Sequence, residues 1–137
     1  MTGSQLLVAL AGAIQARLPG WTVNSTPQPD LADRTVEIGL GQAVVTHYQF
    51  AAPAVEEQVL IRLSLRNTTG AYATLADARD AVALALFDVY PTLLNQEAEL
   101  IPQNTAGTWE AMTPDASSTQ GVYWTATLRV PVRRRIA

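Results

Sequence analysis

The chain has 137 residues, 48% of them hydrophobic and 15% charged, with a formal net charge of −3 and no cysteine. That length suits one core, the composition is too apolar for a disordered segment, and the missing thiols exclude disulfides, thiolate zinc sites and a cysteine nucleophile. No apolar run approaches the ~20 residues of a membrane span, and Met1-Thr2-Gly3-Ser4-Gln5 lacks the basic start of a secretory signal, so the expectation is a single domain, residues 1–137, that stays where it is made.

In chain order, Leu6, Leu10, Ala13, Ile14 and Arg17 recur at spacings of three and four. They predict an amphipathic helix from about Gln5 to Leu18, with Ser4 as its N-cap and Pro19-Gly20 as its stop. Weaker strand signals follow at Trp21 to Ser25, Thr35 to Leu40 and Ala43 to Phe50. Between them lie a loop from Thr26 to Arg34, carrying Pro27, Pro29 and Asp30, and a bend or bulge at Gly39-Leu40-Gly41. The clearest strand sets Val59, Ile61, Leu63 and Leu65 against Leu60, Arg62, Ser64 and Arg66, a period of two with one apolar face.

After a turn at Asn67-Thr68-Thr69-Gly70, Thr74-Leu75-Ala76-Asp77 reads as a helix cap. Leu75, Ala78, Val82, Ala85, Leu86 and Val89 then keep helical spacing up to Pro91. Pro102 to Gln120 is a long loop in which Trp109 marks either an extra strand or a partner contact. The last strand, Gly121 to Val132, puts Val122, Trp124, Ala126, Leu128, Val130 and Val132 on one face and Tyr123, Thr125, Thr127 and Arg129 on the other. Pro131 cannot donate to a ladder, which places the end of that strand at a sheet edge. Strands and helices segregated in this way predict an α+β fold, a mainly antiparallel sheet packed by two helices, one N-terminal and one central.

The chemistry-bearing residues stand apart from one another. His47 lies in a strand-like run with no second histidine and no Ser-Asp pairing motif, so it reads as a structural or interface histidine. Glu56 and Glu57 are neighbours in an extended segment, point to opposite faces and cannot share a proton; they are expected to solvate the start of the next strand. Gly39-Leu40-Gly41 lacks both the third glycine of a dinucleotide loop and the Gly-Lys-Ser/Thr ending of a P-loop. The expectation is no catalytic residue, no metal, no cofactor and no enzyme.

All nine basic residues are arginine. Residues 1–128 hold five of them against twelve acids, a balance of −7, while residues 129–137 carry four arginines and no acid. A basic end on an acidic body is no footprint for general nucleic-acid binding, which needs a broad basic face. Arg133-Arg134-Arg135 reads as a solvated terminus, as a contact to an acidic neighbour or, least of the three, as a weak, unspecific contact to nucleic acid. Candidate subunit or partner contacts are Arg62, Arg66, Tyr123, Arg129, Arg133, Arg134, Arg135 and Trp109. The faces formed by Arg62, Ser64 and Arg66 and by Tyr123, Thr125, Thr127 and Arg129 mix polar groups with anchors, and read either as subunit contacts or as ordinary solvent faces of a sheet.

The amphipathic helix Leu6 to Leu18, the arginine-bearing strand Gln58 to Arg66, the turn Asn67 to Gly70, the Ala-rich helix Thr74 to Tyr90, a loop and the closing strand Gly121 to Val132 together resemble the tail terminator, or tail-completion, proteins of long-tailed bacteriophages. The likeness spans nearly the whole chain and is one of element order, with no short motif that fixes individual positions. It implies a structural virion protein, assembled in the host cytoplasm, whose copies form a hexameric ring at the head-proximal end of the tail tube. Such a ring ends tube polymerisation and joins the tail to the neck. The implied partners are further copies of the chain, the tail tube protein and a neck or head-completion protein such as a stopper or connector, with no membrane and no specific nucleic-acid binding, DNA only passing through the ring. The alternatives are another neck or head-closure part and, further off, a small ligand-binding α+β domain.

Overall fold

The computed structural model describes residues 1–48, 52–100, 107–115 and 121–136. Phe50 of the third expected strand, and the two ends of the expected Pro102 to Gln120 loop, lie outside them. In chain order the elements are α1 (Gly3–Arg17), β1 (Thr22–Asn24), β2 (Thr35–Tyr48), β3 (Ala52–Arg66), α2 (Ala71–Asn95), β4 (Ala98–Leu100), β5 (Thr108–Trp109), β6 (Thr113–Asp115) and β7 (Tyr123–Arg135).

One sheet runs in the order β1-β2-β3-β7-β4. Only β1 and β2 are parallel; every other pair is antiparallel. The strand position beyond β7 is filled piecewise, β4 lying along Val132 to Arg134, β5 along Leu128 and Arg129, and β6 along Tyr123 to Thr125. The α+β expectation therefore holds, with the N-terminal and the central helix in place.

Register explains the core. Val36, Leu63 and Ala126 form one cross-strand row and Ile38, Ile61 and Leu128 the next. These rows, extended by Val59, Val130 and Val132, are buried against Leu6, Leu10 and Ile14 of α1 and Leu75, Val82, Ala85, Val89 and Leu93 of α2. Each side chain of this size contributes about 1.5–3 kcal/mol when it leaves water, so the alternation in β3 and the helical spacing in α2 are the same signal seen from two sides.

Four boundaries differ from the sequence reading, each for a local reason. The cap of α1 is Thr2: the amide of Gln5 donates to Thr2 Oγ1 at 3.2 Å and the amide of Thr2 donates to Gln5 Oε1 at 2.8 Å. That reciprocal pair satisfies two otherwise orphaned donors and leaves Ser4 inside the first turn.

Helix α2 begins at Ala71, because Gly70 takes the left-handed backbone (φ 80°) that ends the turn, and the amide of Thr74 already donates to the Gly70 carbonyl at 3.1 Å. It also passes through Pro91 to Asn95. The carbonyl deprived of a donor by Pro91 is that of Phe87, on the solvent side, where water can replace the lost bond.

The third difference is β7, which is an interior strand. Pro131 pairs in register with Gln58 and falls in the gap between β4 and β5, so its missing donor costs the ladder nothing there. The fourth is length: β3 starts at Ala52 and β7 runs on to Arg135, so Glu56, Glu57 and the three terminal arginines are all strand residues.

Candidate functional site

The face of the sheet turned away from the helices carries the alternate residues of β2, β3 and β7. In register these read Thr35, Ser64, Thr125; Glu37, Arg62, Thr127; Gly39, Leu60, Arg129; and, further along, Glu56, Arg133 and Glu99 of β4. Opposite charges thus meet directly across strands, the arrangement that favours a sheet and fixes its register.

At one end, the segment between β1 and β2 folds onto this face. The Gln28 amide donates to Glu37, a Cβ at Gly39 would lie 2.9 Å from Pro27, and Asp33 Oδ1 accepts the Arg66 amide at 2.9 Å. Leu31 and Tyr123 are buried yet stand outside the main core cluster. The expected loop is therefore a cover. Under it, Pro27, Gln28, Glu37, Leu60, Arg62 and Thr127 line an open cleft of about 330 Å³. Its one buried carboxylate, Glu37, already accepts from Arg62 and Gln28, so the cleft presents no unclaimed charged group of its own.

The arginines singled out in the sequence are nearly all claimed within the chain. Arg62 pairs with Glu37, Arg129 Nε reaches Glu110 at 2.8 Å, and Arg133 bridges Glu56 at 2.5 Å and Glu99 at 3.3 Å. Arg134 Nε lies 2.6 Å from Glu57 Oε1, and Arg135 Nη1 lies 3.1 Å from Glu97. The pair Arg134–Glu57 is interior, only 8% and 5% of the two residues being exposed. Its guanidinium also donates to the Met1 carbonyl at 3.3 Å, beneath the start of α1. The basic end read from the sequence is thus neutralised by Glu56, Glu57, Glu97 and Glu99, and Glu56 and Glu57 hold arginines and do not merely solvate a strand end.

Among the other candidates, Tyr123 is fully buried, while Arg66, in register with it, stays exposed. Trp109 forms the short strand β5 and lies under Arg79, whose Cζ is 4.9 Å from the ring centroid. Of its two readings, the extra strand holds. His47 is exposed on β2, in register with Pro53. Among the described residues no group of three or more His, Asp or Glu is placed to hold a metal, and no helix is long and apolar enough to cross a membrane.

Two apolar surfaces escaped the sequence reading. Beyond the register shift between Leu40 and Ala43, the ends of β2 and β3 form an arm in which Ala43 to Tyr48 face Ala52 to Glu57. There Val44 is 63% and Val45 78% exposed. On α2, Leu84, Phe87 and Leu94 are exposed, Phe87 by 71%. With Pro91 their spacings of three, four and three place them on one stripe, about half a turn from the buried one. The usable signal was apolar residues recurring at helical spacing on the side that Asp80 and Asp77 mark as wet.

No protein-family model matches the chain and no curated protein sequence matches it. Solved structures do match. A chain in the virion of a native gene transfer agent particle is similar over 95% of this chain and 92% of its own, with a TM-score of 0.40 and 12% identity. Similarity of this depth leaves the function to be argued from the chain's own surfaces.

Those surfaces divide by charge. Among the described residues six arginines are paired within the chain, at the helix layer too, where Arg17 holds Asp88 by two bonds of 2.6 and 2.9 Å. Those hydrogen bonds, followed by the charge itself, push the Asp88 carboxyl below its ordinary range, and the same bonds push Arg17 up. Among the described residues, the large side chains that the arm and the outer side of α2 turn to solvent are apolar.

Proposed function

We propose that this chain is a structural virion part, a tail terminator whose copies close into a ring, with six copies expected, at the head-proximal end of a phage-type tail tube. There it ends tube growth and offers a surface to the neck proteins. The reading is carried by one observation: an arm of paired strands bears large apolar side chains that nothing in the described chain covers. Exposed apolar surface on a folded domain marks contact with another macromolecule, and a ring needs contacts of the heterologous kind, one patch meeting a different one.

Further support comes from the paired arginines. A face on which Arg62, Arg129 and Arg133 are matched by Glu37, Glu110, Glu56 and Glu99 has little charge left to release counterions from DNA, so it suits a wall past which DNA slides. The resemblance in element order to tail-completion proteins points the same way.

The test is the mass of the purified chain by light scattering, together with negative-stain electron microscopy with and without a tail tube protein. The expected result is a closed ring, six-fold in projection, that caps tubes and stops their growth. A chain that stays monomeric at tens of micromolar and leaves tube length unchanged would sink the reading.

A further inference from the structure

The helix-side face of the sheet does not stop where the helices stop. Under α1 and α2 it carries Ile61 and Val59, and Leu40, 43% exposed, stands at the margin of the cover. The first turn of α1 ends the cover: a Cβ at Gly3 would lie 3.3 Å from both Leu40 Cδ1 and Arg134 Nη2. Past that point the same face continues along the arm as the opposed pairs Ala43 and Glu57, Val45 and Val55, and His47 and Pro53. Of these, Glu57 is buried, Val55 is half-buried and the others are exposed. Between Glu57, held by Arg134, and His47 at the tip, the arm presents an apolar strip of sheet face with no helix over it among the described residues.

Helix α2 has the converse surplus. One stripe is committed to the sheet beneath it, and the stripe of Leu84, Phe87, Pro91 and Leu94 faces outward with no other element against it among the described residues. The dimensions agree. Leu84 to Leu94 covers about 15 Å of helix axis, and Ala43 to Tyr48 covers about 17 Å of strand.

The charges agree as well. Between Ala81 and Asn95 the one formal charge is Asp88, neutralised by Arg17, while Asp77 and Asp80, on the same outer side, lie before Leu84 and stay in water at the rim. In the arm the formal charges are Glu56 and Glu57, held by Arg133 and Arg134. Two apolar surfaces whose ions are already matched meet without stranding a charge.

We propose that the helix-side face of the arm of one copy, around Val45 and Val55, docks on the outer stripe of α2, around Leu84 and Phe87, of the next copy. This contact rests on the ring reading above and supplies its heterologous interface. It makes the sheet of one subunit borrow a covering helix from its neighbour, and because giver and receiver are different patches, every copy uses both.

The decisive experiment pairs Val45→Asp with Phe87→Asp, both at exposed positions, with folding checked by circular dichroism and melting. Wild type assembles. Each variant alone is expected to need about a hundredfold higher concentration for half-assembly, as a charge is forced into an apolar contact. Mixed one to one, they are expected to form a heterodimer and stop, since one keeps a sound arm and the other a sound stripe.

Because the chain has no cysteine, Val45→Cys mixed with Phe87→Cys gives a single inter-copy crosslink with a short bis-maleimide, read by mass. If wild type assembles while both Asp variants assemble equally well, or the crosslink fails in the assembled mixture, the docking is wrong and the ring survives. If only Phe87→Asp is impaired and Val45→Asp assembles fully, α2 meets something other than the arm, which also overturns it. A monomeric wild type removes the ring reading itself.

Discussion

The body of the sheet and its arm are made from the same three strands, yet they solve different problems. In the body, alternate residues of β2, β3 and β7 lie under two helices and are fully removed from water. In the arm the same strands run on with no helix over them among the described residues, and Val45 stands 78% exposed across from Val55. Val59 and Ile61, which make the fold, and Val45 and Val55, which remain available to a partner, thus share one face. What separates them is only whether a helix of the same chain reaches far enough. The junction is marked by the interior pair Arg134–Glu57, which sits where the cover ends.

That junction is where the comparison is most fragile. Arg134→Ala leaves the Glu57 carboxylate interior and unmatched, and it is expected to cost about 3–5 kcal/mol in urea unfolding. Replacing both partners together, Arg134→Met with Glu57→Leu, is expected to recover most of that loss, and a failure to recover would mean the pair does more than fill space. Next comes the body against the arm. Leu63→Ala is expected to cost about 2–5 kcal/mol through the cavity it opens, whereas Val45→Ala stays within about 0.5 kcal/mol. Equal losses at the two positions would show that the arm is covered within a single chain.

Smaller again is the cap that holds α1 over the junction. Thr2→Ala removes one acceptor of the reciprocal pair with Gln5 and is expected to lower stability by about 1 kcal/mol, with Thr2→Ser restoring it, as read by thermal melts. The smallest effect is expected at Asp88, whose carboxyl is held below its usual range by Arg17. A depressed carboxyl stabilises the fold above its unfolded pKa of about 3.9 and loses that contribution as pH falls through the folded value. Asp88→Asn should therefore differ slightly from wild type near neutral pH and converge with it in acid. A difference that grows in acid would reverse the assignment.

Much of the fold was legible because burial imposes a period. Val59 to Leu65 and Leu75 to Val89 announce a strand face and a helix stripe, and both lie where their spacing put them. Illegible were the features set by contacts between residues distant in sequence. Arg133 and Glu56 are 77 positions apart, as are Arg134 and Glu57. Read singly they are a basic tail and a solvated pair of acids; only the β3–β7 register makes them ion pairs. Pro91 and Pro131 misled for a related reason, since a missing donor matters only if its partner lacks an alternative, and that depends on which side faces water or a gap.

The candidate surfaces show the same limit. Arg62, Arg129 and Arg133 stand out because charge is conspicuous in a sequence, while Leu84 and Phe87 fall outside the predicted helix stripe and carry no signal of their own. Solvent exposure of an apolar side chain is a property of the assembled layers and leaves no local trace beyond a second stripe on one helix.

The patchwork beyond β7 has a consequence for growth. Along β2, strand β1 covers only Thr35 to Glu37, and among the described residues the outer edge from Ile38 to Tyr48 has no strand beside it. At the opposite margin β4, β5 and β6 offer only two or three residues each, separated where Pro131 passes. With one long bare margin and one broken margin among the described residues, fibre-like extension finds no continuous receiver there: two bare margins can zip together once, and the addition of further copies by backbone bonding halts. Edges of this kind disfavour runaway amyloid-style stacking.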